Sequence, residues 1–304
     1  MVQQELTQTL QQHNPMSRRS GRGRPATATL SPIDARAAHA PVSGNGVHPP
    51  SHGLHGLRRV PEVTAVFWII KLLTTGMGET TSDYLVHQLA PVIAIALGGL
   101  GLLAALALQF SARRYIPGVY WFAVVMVAIT GTMAADVLHV GAGIPYLVST
   151  VFFAVALAAV FAAWYVSEKT LSIHSIDTGR REVFYWATVI ATFALGTAAG
   201  DLTAITLGLG YFASAVLFAA VIAVPAVGYL RLGMNEIPAF WFAYIVTRPL
   251  GASLADWLGR SSHLGGLGLG TGPISLALAI VIAGLVGYLT WAPTATLDPD
   301  ARER

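Results

Sequence analysis

The 304-residue chain contains no cysteine, which excludes a disulfide framework and a thiolate metal centre. Charge is scarce as well. Asp, Glu, Lys and Arg make up 11% of the residues, where a soluble domain carries about 25%. No HExxH pair and no nucleophile elbow occurs, so no catalytic residue is assigned and the expectation is that the protein is not an enzyme. No nucleotide-binding loop is present either. The run GGLGLGTG at 265–272 has G-x-G spacing but follows an apolar helix and lacks the Lys-Ser/Thr of a phosphate loop, so it is read as a flexible connection. No cofactor is implied. No apolar run precedes Thr64, so no signal peptide is expected and topology falls to the spans themselves.

What the chain has instead is apolar length. Hydrophobic residues make up 54% of it and 31 glycines add to that, which points to membrane spans rather than a soluble domain. The net charge of +3 belongs to one end: residues 1–59 carry seven Arg against Glu5 and Asp34. The body is nearly balanced, so the basic character gives no reason to expect nucleic acid. Residues 1–57, rich in Gln, Ser, Pro, Gly, His and Arg, read as a disordered, Arg-rich cytoplasmic tail, because they cannot bury enough surface to offset chain entropy. Residues 58–292 form the membrane domain and 293–304 a short second tail.

Within that domain, apolar stretches of about 20 residues alternate with short polar breaks, the length that crosses a bilayer as helix. Eight are expected, near 62–84, 91–110, 117–137, 145–167, 182–202, 210–230, 238–257 and 273–291. The fold class is therefore all-α integral membrane protein. Lys and Arg collect on one side, at Arg58, Arg59, Arg113, Arg114, Lys169, Arg180, Arg181, Arg231, Arg302 and Arg304, with only Arg260 on the other. Both termini should then be cytoplasmic, in a bacterial inner membrane.

The spans repeat. Trp68, Trp121, Trp186 and Trp241 each lie in an odd-numbered span, with Gly78, Gly131, Gly196 and Gly251 ten residues on and Asp83, Asp136, Asp201 and Asp256 fifteen residues on. Thr74, Thr192 and Thr247 share a further offset. The chain thus reads as four two-helix units, near 60–114, 115–178, 179–232 and 233–291. Each unit has an even number of spans, so all four enter the membrane in the same direction. The four Trp-to-Asp helices should line a shared centre, with the plainer helices outside.

The stretches VPEVTAVFWIIKLLTTGMGETTSD, ALGTAAGD and NEIPAFWFAYIVTRPLGASLAD resemble the bacterial family of uncharacterised membrane-anchored proteins, built from a four-fold repeat of two spans with a tryptophan. The resemblance covers about residues 60–291. It implies the fold and no settled activity.

Function must then come from the polar residues inside the spans, which are costly there and usually face an interior. The four Asp should form an acidic ring at the extracytoplasmic mouth, either as a cation or proton site or as interfacial ends of spans. In the first repeat Lys71, Thr75, Glu79 and Asp83 share one helix face. Arg248 takes the offset of Thr75 in the fourth repeat, and Thr132 and Thr197 take that of Glu79. If repeats one and four adjoin, Lys71 or Arg248 would pair with Glu79, as a switchable pair or as a static one. The shared glycines, and Pro249 beside Gly251, serve close packing or a hinge. The four Trp are placed by default in the interfacial belt. Glu62, Glu182 and Glu236 open odd helices and read as dipole partners. His87 and His139, with Asp83 and Asp136 on their helical faces, are candidate metal ligands.

These features predict a secondary transporter of a small cation, including a divalent metal, coupled to protons through Asp83, Asp136, Asp201, Asp256 and Glu79. Lys71 and Arg248 would be their charge partners. Alternatives are a transporter of an organic or anionic solute held by Lys71 and Arg248, and a non-transporting membrane scaffold or sensor. The expected partners are the lipid bilayer and a small cation or proton.

Overall fold

The computed structural model describes residues 59–291, so the two expected tails lie outside the described residues. Eight long helices follow one another: α1 Ala65–Gln88, α2 Pro91–Ser111, α3 Pro117–Asp136, α4 Tyr146–Glu168, α5 Gly179–Asp201, α6 Gly210–Leu232, α7 Glu236–Gly259 and α8 Thr271–Trp291. Their starts are set by local chemistry. Pro91 and Pro117 open α2 and α3 where a missing N–H costs nothing. Thr64 and Thr178 accept hydrogen bonds from the Phe67 and Arg181 backbone N–H groups at α1 and α5.

Six of the eight, α2, α3, α4, α5, α6 and α8, are long and apolar enough to cross a membrane. The other two, α1 and α7, carry the buried charges Lys71, Glu79, Arg248 and Asp256. The even helices hold few buried residues and expose Leu100, Leu103, Val155, Leu230 and Ile280. Apolar surface on that scale is suited to contact with a lipid bilayer.

The odd helices close into a ring. α1 packs on α3 and α7, and α5 packs on the same two. Each even helix then lies against the odd helix of the following repeat: α2 on α3, α4 on α5, α6 on α7 and, completing the circle, α8 on α1. Repeats one and four are therefore neighbours.

The glycine ten residues after each Trp sets the ring's closeness. A methyl group at Gly78 would lie 2.4 Å from the Ala128 Cβ, at Gly131 2.7 Å from the Phe193 Cβ, at Gly196 2.1 Å from the Arg248 Cγ and at Gly251 2.4 Å from the Thr75 Cγ2. Each partner stands seven residues after the Trp of the next repeat, so one contact is used four times around the circle. The glycines are packing residues. Pro249 lies within α7, which continues as helix to Gly259.

The connections at the Asp ends are unequal. After Asp136 and Asp201 the chain widens into π-helical turns, Val137–Gly141 and Leu202–Thr206, whereas α1 and α7 run on as α-helix past Asp83 and Asp256. The glycine-rich run at 265–272 is not the flexible connection expected. The N–H groups of Leu267, Gly268, Leu269 and Gly270 donate to the carbonyls of Trp257, Arg260, Leu258 and Gly259, satisfying acceptors that the end of α7 would otherwise leave open. Gly265, Gly268 and Gly270 take positive φ in doing so.

Candidate functional site

The four inner helices present matching residues to a common axis, layer by layer. Beginning at the Trp end, Phe67, Tyr120 and Tyr185 are buried together, and the Tyr120 and Tyr185 hydroxyls hydrogen-bond to each other. Trp121, Trp186 and Trp241 pack around this layer and are almost fully buried, while Trp68 is partly buried. The belt placement is thus corrected for three of the four. Aromatic rings there meet edge to face and close the ring's end.

The next layer holds Lys71, Val124, Val189 and Tyr244, all buried. The Lys71 Nζ has no hydrogen-bond partner and sits 3.5 Å from the Tyr244 ring centroid and 5.2 Å from that of Phe193. A cation over aromatic faces is partly compensated by their quadrupoles. Lys71 therefore does not pair with Glu79.

Arg248 does. Its Nη2 lies 3.7 Å from the Glu79 Oε2, and two threonines fill the gap. Thr132 and Thr197 each donate to the Glu79 Oε2 at 3.1 Å and accept from Arg248 at 2.6 and 3.4 Å. Arg248 also donates to the Thr75 carbonyl at 2.9 Å, and the Phe193 ring lies against its guanidinium at 4.2 Å. One residue from each of the four inner helices thus meets at the middle of the axis. A buried ion pair needs this many hydrogen bonds to offset its desolvation.

Beyond this knot lie the four Asp. Arg260 joins two of them: its Nε is 2.8 Å from the Asp256 Oδ1 and its Nη2 3.0 Å from the Asp83 Oδ2. Burial alone would lower the proton affinity of Arg260, but the Asp256 and Asp83 carboxylates outweigh it and raise it, so this cation is fixed. The other two, Asp136 and Asp201, form a group with His139, their candidate ligand atoms all within 4.8 Å of one another.

His139 lies in the π turn after Asp136, and its Nδ1 is 3.9 Å from the Asp201 Oδ2 of the next repeat. His87 does not join such a group. Its ring is exposed, and its Nδ1 donates to the Asp83 backbone carbonyl at 2.6 Å rather than facing the carboxylates. His263 is exposed in a short turn after α7.

Three relationships had no separate signal in the sequence. Arg260 was visible only as the lone basic residue of its side. Glu182 is more than a dipole partner: fully buried in the first turn of α5, it accepts from Arg59 at 2.7 Å and from Gln109 at 2.8 Å, tying three segments at the Trp end. Ser149 of α4 hydrogen-bonds the His139 Nε2. A cavity of about 650 Å³ lies off the axis, lined by Trp68, Leu72, Ile222, Phe240 and Leu250 among others, and none of the axial carboxylates borders it.

No curated protein and no solved structure matches the chain. A repeat family matches four times in tandem, over residues 66–115, 119–170, 184–234 and 239–294, each match beginning two residues before a signature Trp. The chain belongs to the family described as Repeat of Unknown Function (DUF347), as four consecutive copies of that repeat.

Proposed function

We propose that the protein is a bacterial inner-membrane secondary transporter that exchanges a small cation for protons along the axis of the α1–α3–α5–α7 ring. In this arrangement all eight long helices span the bilayer, both termini are cytoplasmic and the Asp end faces outward. α1 and α7 would be tolerated as spans because their charges face the ring interior rather than lipid.

One observation carries the proposal. The inner helices bring together five carboxylates, Glu79, Asp83, Asp136, Asp201 and Asp256, with Arg248 beside Glu79, Arg260 between Asp83 and Asp256, and Lys71 further toward the Trp end. Carboxylates in a membrane interior that outnumber their cationic partners must bind a proton or another cation to be stable there. That is the requirement for an exchanger, in which the same oxygens hold one or the other.

The four Asp would form the entry, Glu79 the passage at the centre, and Arg248 a charge barrier released when Glu79 is protonated. Lys71 and the aromatic layer would close the cytoplasmic side. The test is proton-coupled cation flux in proteoliposomes. Wild-type protein should move cations, and Asp201→Asn should abolish flux while inserting normally.

Transport of an organic anion is the competing reading, because the Lys71 ammonium lacks a hydrogen-bond partner. It loses Arg248, which is engaged by Glu79 and three threonines. Inhibition of flux by anions but not by cations would favour it.

A further inference from the structure

The four-fold ring divides into two kinds of seam. Between repeats four and one, Asp256 and Asp83 share the Arg260 guanidinium. Directly across the ring, between repeats two and three, Asp136 and Asp201 have no Lys or Arg within 4 Å among the described residues. The chain supplies His139 there instead. Where one carboxylate pair is bridged by a cation built into the protein, its counterpart presents the same two carboxylates and an imidazole.

The imidazole is held in one orientation. With its one proton directed to the Tyr146 carbonyl, 3.0 Å away, Ser149 Oγ accepts from the His139 Nε2–H with which it is paired. In that tautomer a neutral His139 carries its lone pair on Nδ1. That atom is buried without a partner, on a residue only 8% exposed, and it points toward the Asp201 Oδ2 at 3.9 Å. Two acceptors facing each other in a buried site are unfavourable unless a positive species lies between them. The Tyr146 ring packs on the imidazole at 4.4 Å and fixes its plane. A hydrogen bond on the far nitrogen that sets the tautomer is how metal-binding histidines are oriented.

We infer that Asp136, Asp201 and the His139 Nδ1 form a binding site for a divalent transition-metal cation, with Ser149 as the positioning residue. The site deepens the exchange reading above, on which its role in transport rests, by naming the class of cation. Two carboxylates and one imidazole neutralise a divalent ion and match Mn²⁺, Fe²⁺, Co²⁺ or Zn²⁺ better than Mg²⁺ or Ca²⁺, which prefer oxygen alone. Bonds of about 2.0–2.2 Å place the ligand atoms of one ion roughly 3–3.5 Å apart, so the three groups, whose ligand atoms lie within 4.8 Å of one another, draw together around the ion. Three protein ligands leave positions open for water, as suits an ion that is taken up and released. The two π turns that follow Asp136 and Asp201 and no other Asp set this seam apart, and such turns recur at functional sites.

Full-length protein in detergent, titrated with Mn²⁺ and followed by electron spin resonance, tests the site. Wild type should bind one Mn²⁺ per chain with a nitrogen coupling from imidazole, displaced by Zn²⁺ and not by Mg²⁺. His139→Leu should remove the nitrogen coupling and weaken binding at least ~100-fold. Ser149→Ala should weaken it ~10–100-fold, the range for loss of an orienting partner, and His87→Ala should leave it unchanged. Each variant is checked for wild-type elution and Tm.

Folded wild-type protein that binds no Mn²⁺ or Zn²⁺ at millimolar concentration would overturn the site. So would binding indifferent to both His139→Leu and Asp136→Asn. Sodium- or potassium-driven flux in the absence of divalent binding would overturn the metal assignment and leave the transporter standing. His139-dependent Mn²⁺ binding without flux of any cation would do the reverse.

Discussion

Glu79 and Arg248 face each other across the centre of the ring at 3.7 Å, and the hydroxyls of Thr132 and Thr197 lie between them. The four residues come from four different repeats. The ion pair therefore ties all four inner helices together at once. Direct contact would give a permanent bridge. A pair joined through two hydroxyls can separate without leaving either side chain wholly unbonded.

Removing one partner of such a pair leaves a buried charge uncompensated, at a cost of about 3–5 kcal/mol. Arg248→Met should therefore lower thermal stability in detergent sharply. Adding Glu79→Gln to it should recover most of the loss, because no charge then remains to be solvated. A double variant no more stable than Arg248→Met alone would show that Arg248 acts by packing on Phe193 rather than by charge.

The ring contacts make a steric prediction. Gly78→Ala would place its methyl 2.4 Å from the Ala128 Cβ and 2.8 Å from that residue's backbone carbon, with no flexible side chain to give way, so a loss of about 1–3 kcal/mol is expected from overpacking. Gly99, in α2, has nothing within 4 Å of the added methyl. Gly99→Ala should be neutral or slightly stabilising. Comparing the two by thermal unfolding separates the ring's packing from a general effect of glycine loss.

Topology can be read directly because the chain has no cysteine to remove. With eight spans and cytoplasmic termini, single cysteines at Ala142 or Ser262 should react with an impermeant maleimide in intact cells. Cysteines at Ala112 or Met234 should react only after the membrane is opened. Reversed labelling would place the Asp end on the cytoplasmic side, and labelling of neighbouring loops on the same side would reduce the number of spans.

Much of the architecture was legible because a repeat leaves equal offsets. The Trp, Gly and Asp positions marked the inner helices, and the expected spans at 91–110, 117–137 and 210–230 differ from α2, α3 and α6 by no more than two residues. The nearness of repeats one and four entered the sequence reading only as a condition for pairing Glu79 with Arg248, and the packing of α1 on α7 and α8 supplies it. What stayed hidden depends on rotation about helix axes. An apolar helix looks alike from lipid and from core, so nothing distinguished a belt tryptophan from Trp186, which is 1% exposed. His139 was visible beside Asp136, but its reach to Asp201 crosses a repeat boundary and depends on the π turn, for which no sequence rule was available. Arg260 lies in the sequence four residues from Asp256, whereas its second partner, Asp83, belongs to the other end of the chain.

The most direct test of a carboxylate-based exchanger is proton movement in proteoliposomes challenged with a panel of monovalent and divalent cations, comparing wild type with Asp201→Asn. Cation-dependent proton flux in the wild type, abolished by Asp201→Asn in vesicles with equal protein insertion, is the expected result. Flux undiminished by Asp201→Asn, or well-inserted wild-type protein silent to every cation, would contradict it and leave the four aspartates as elements of the fold.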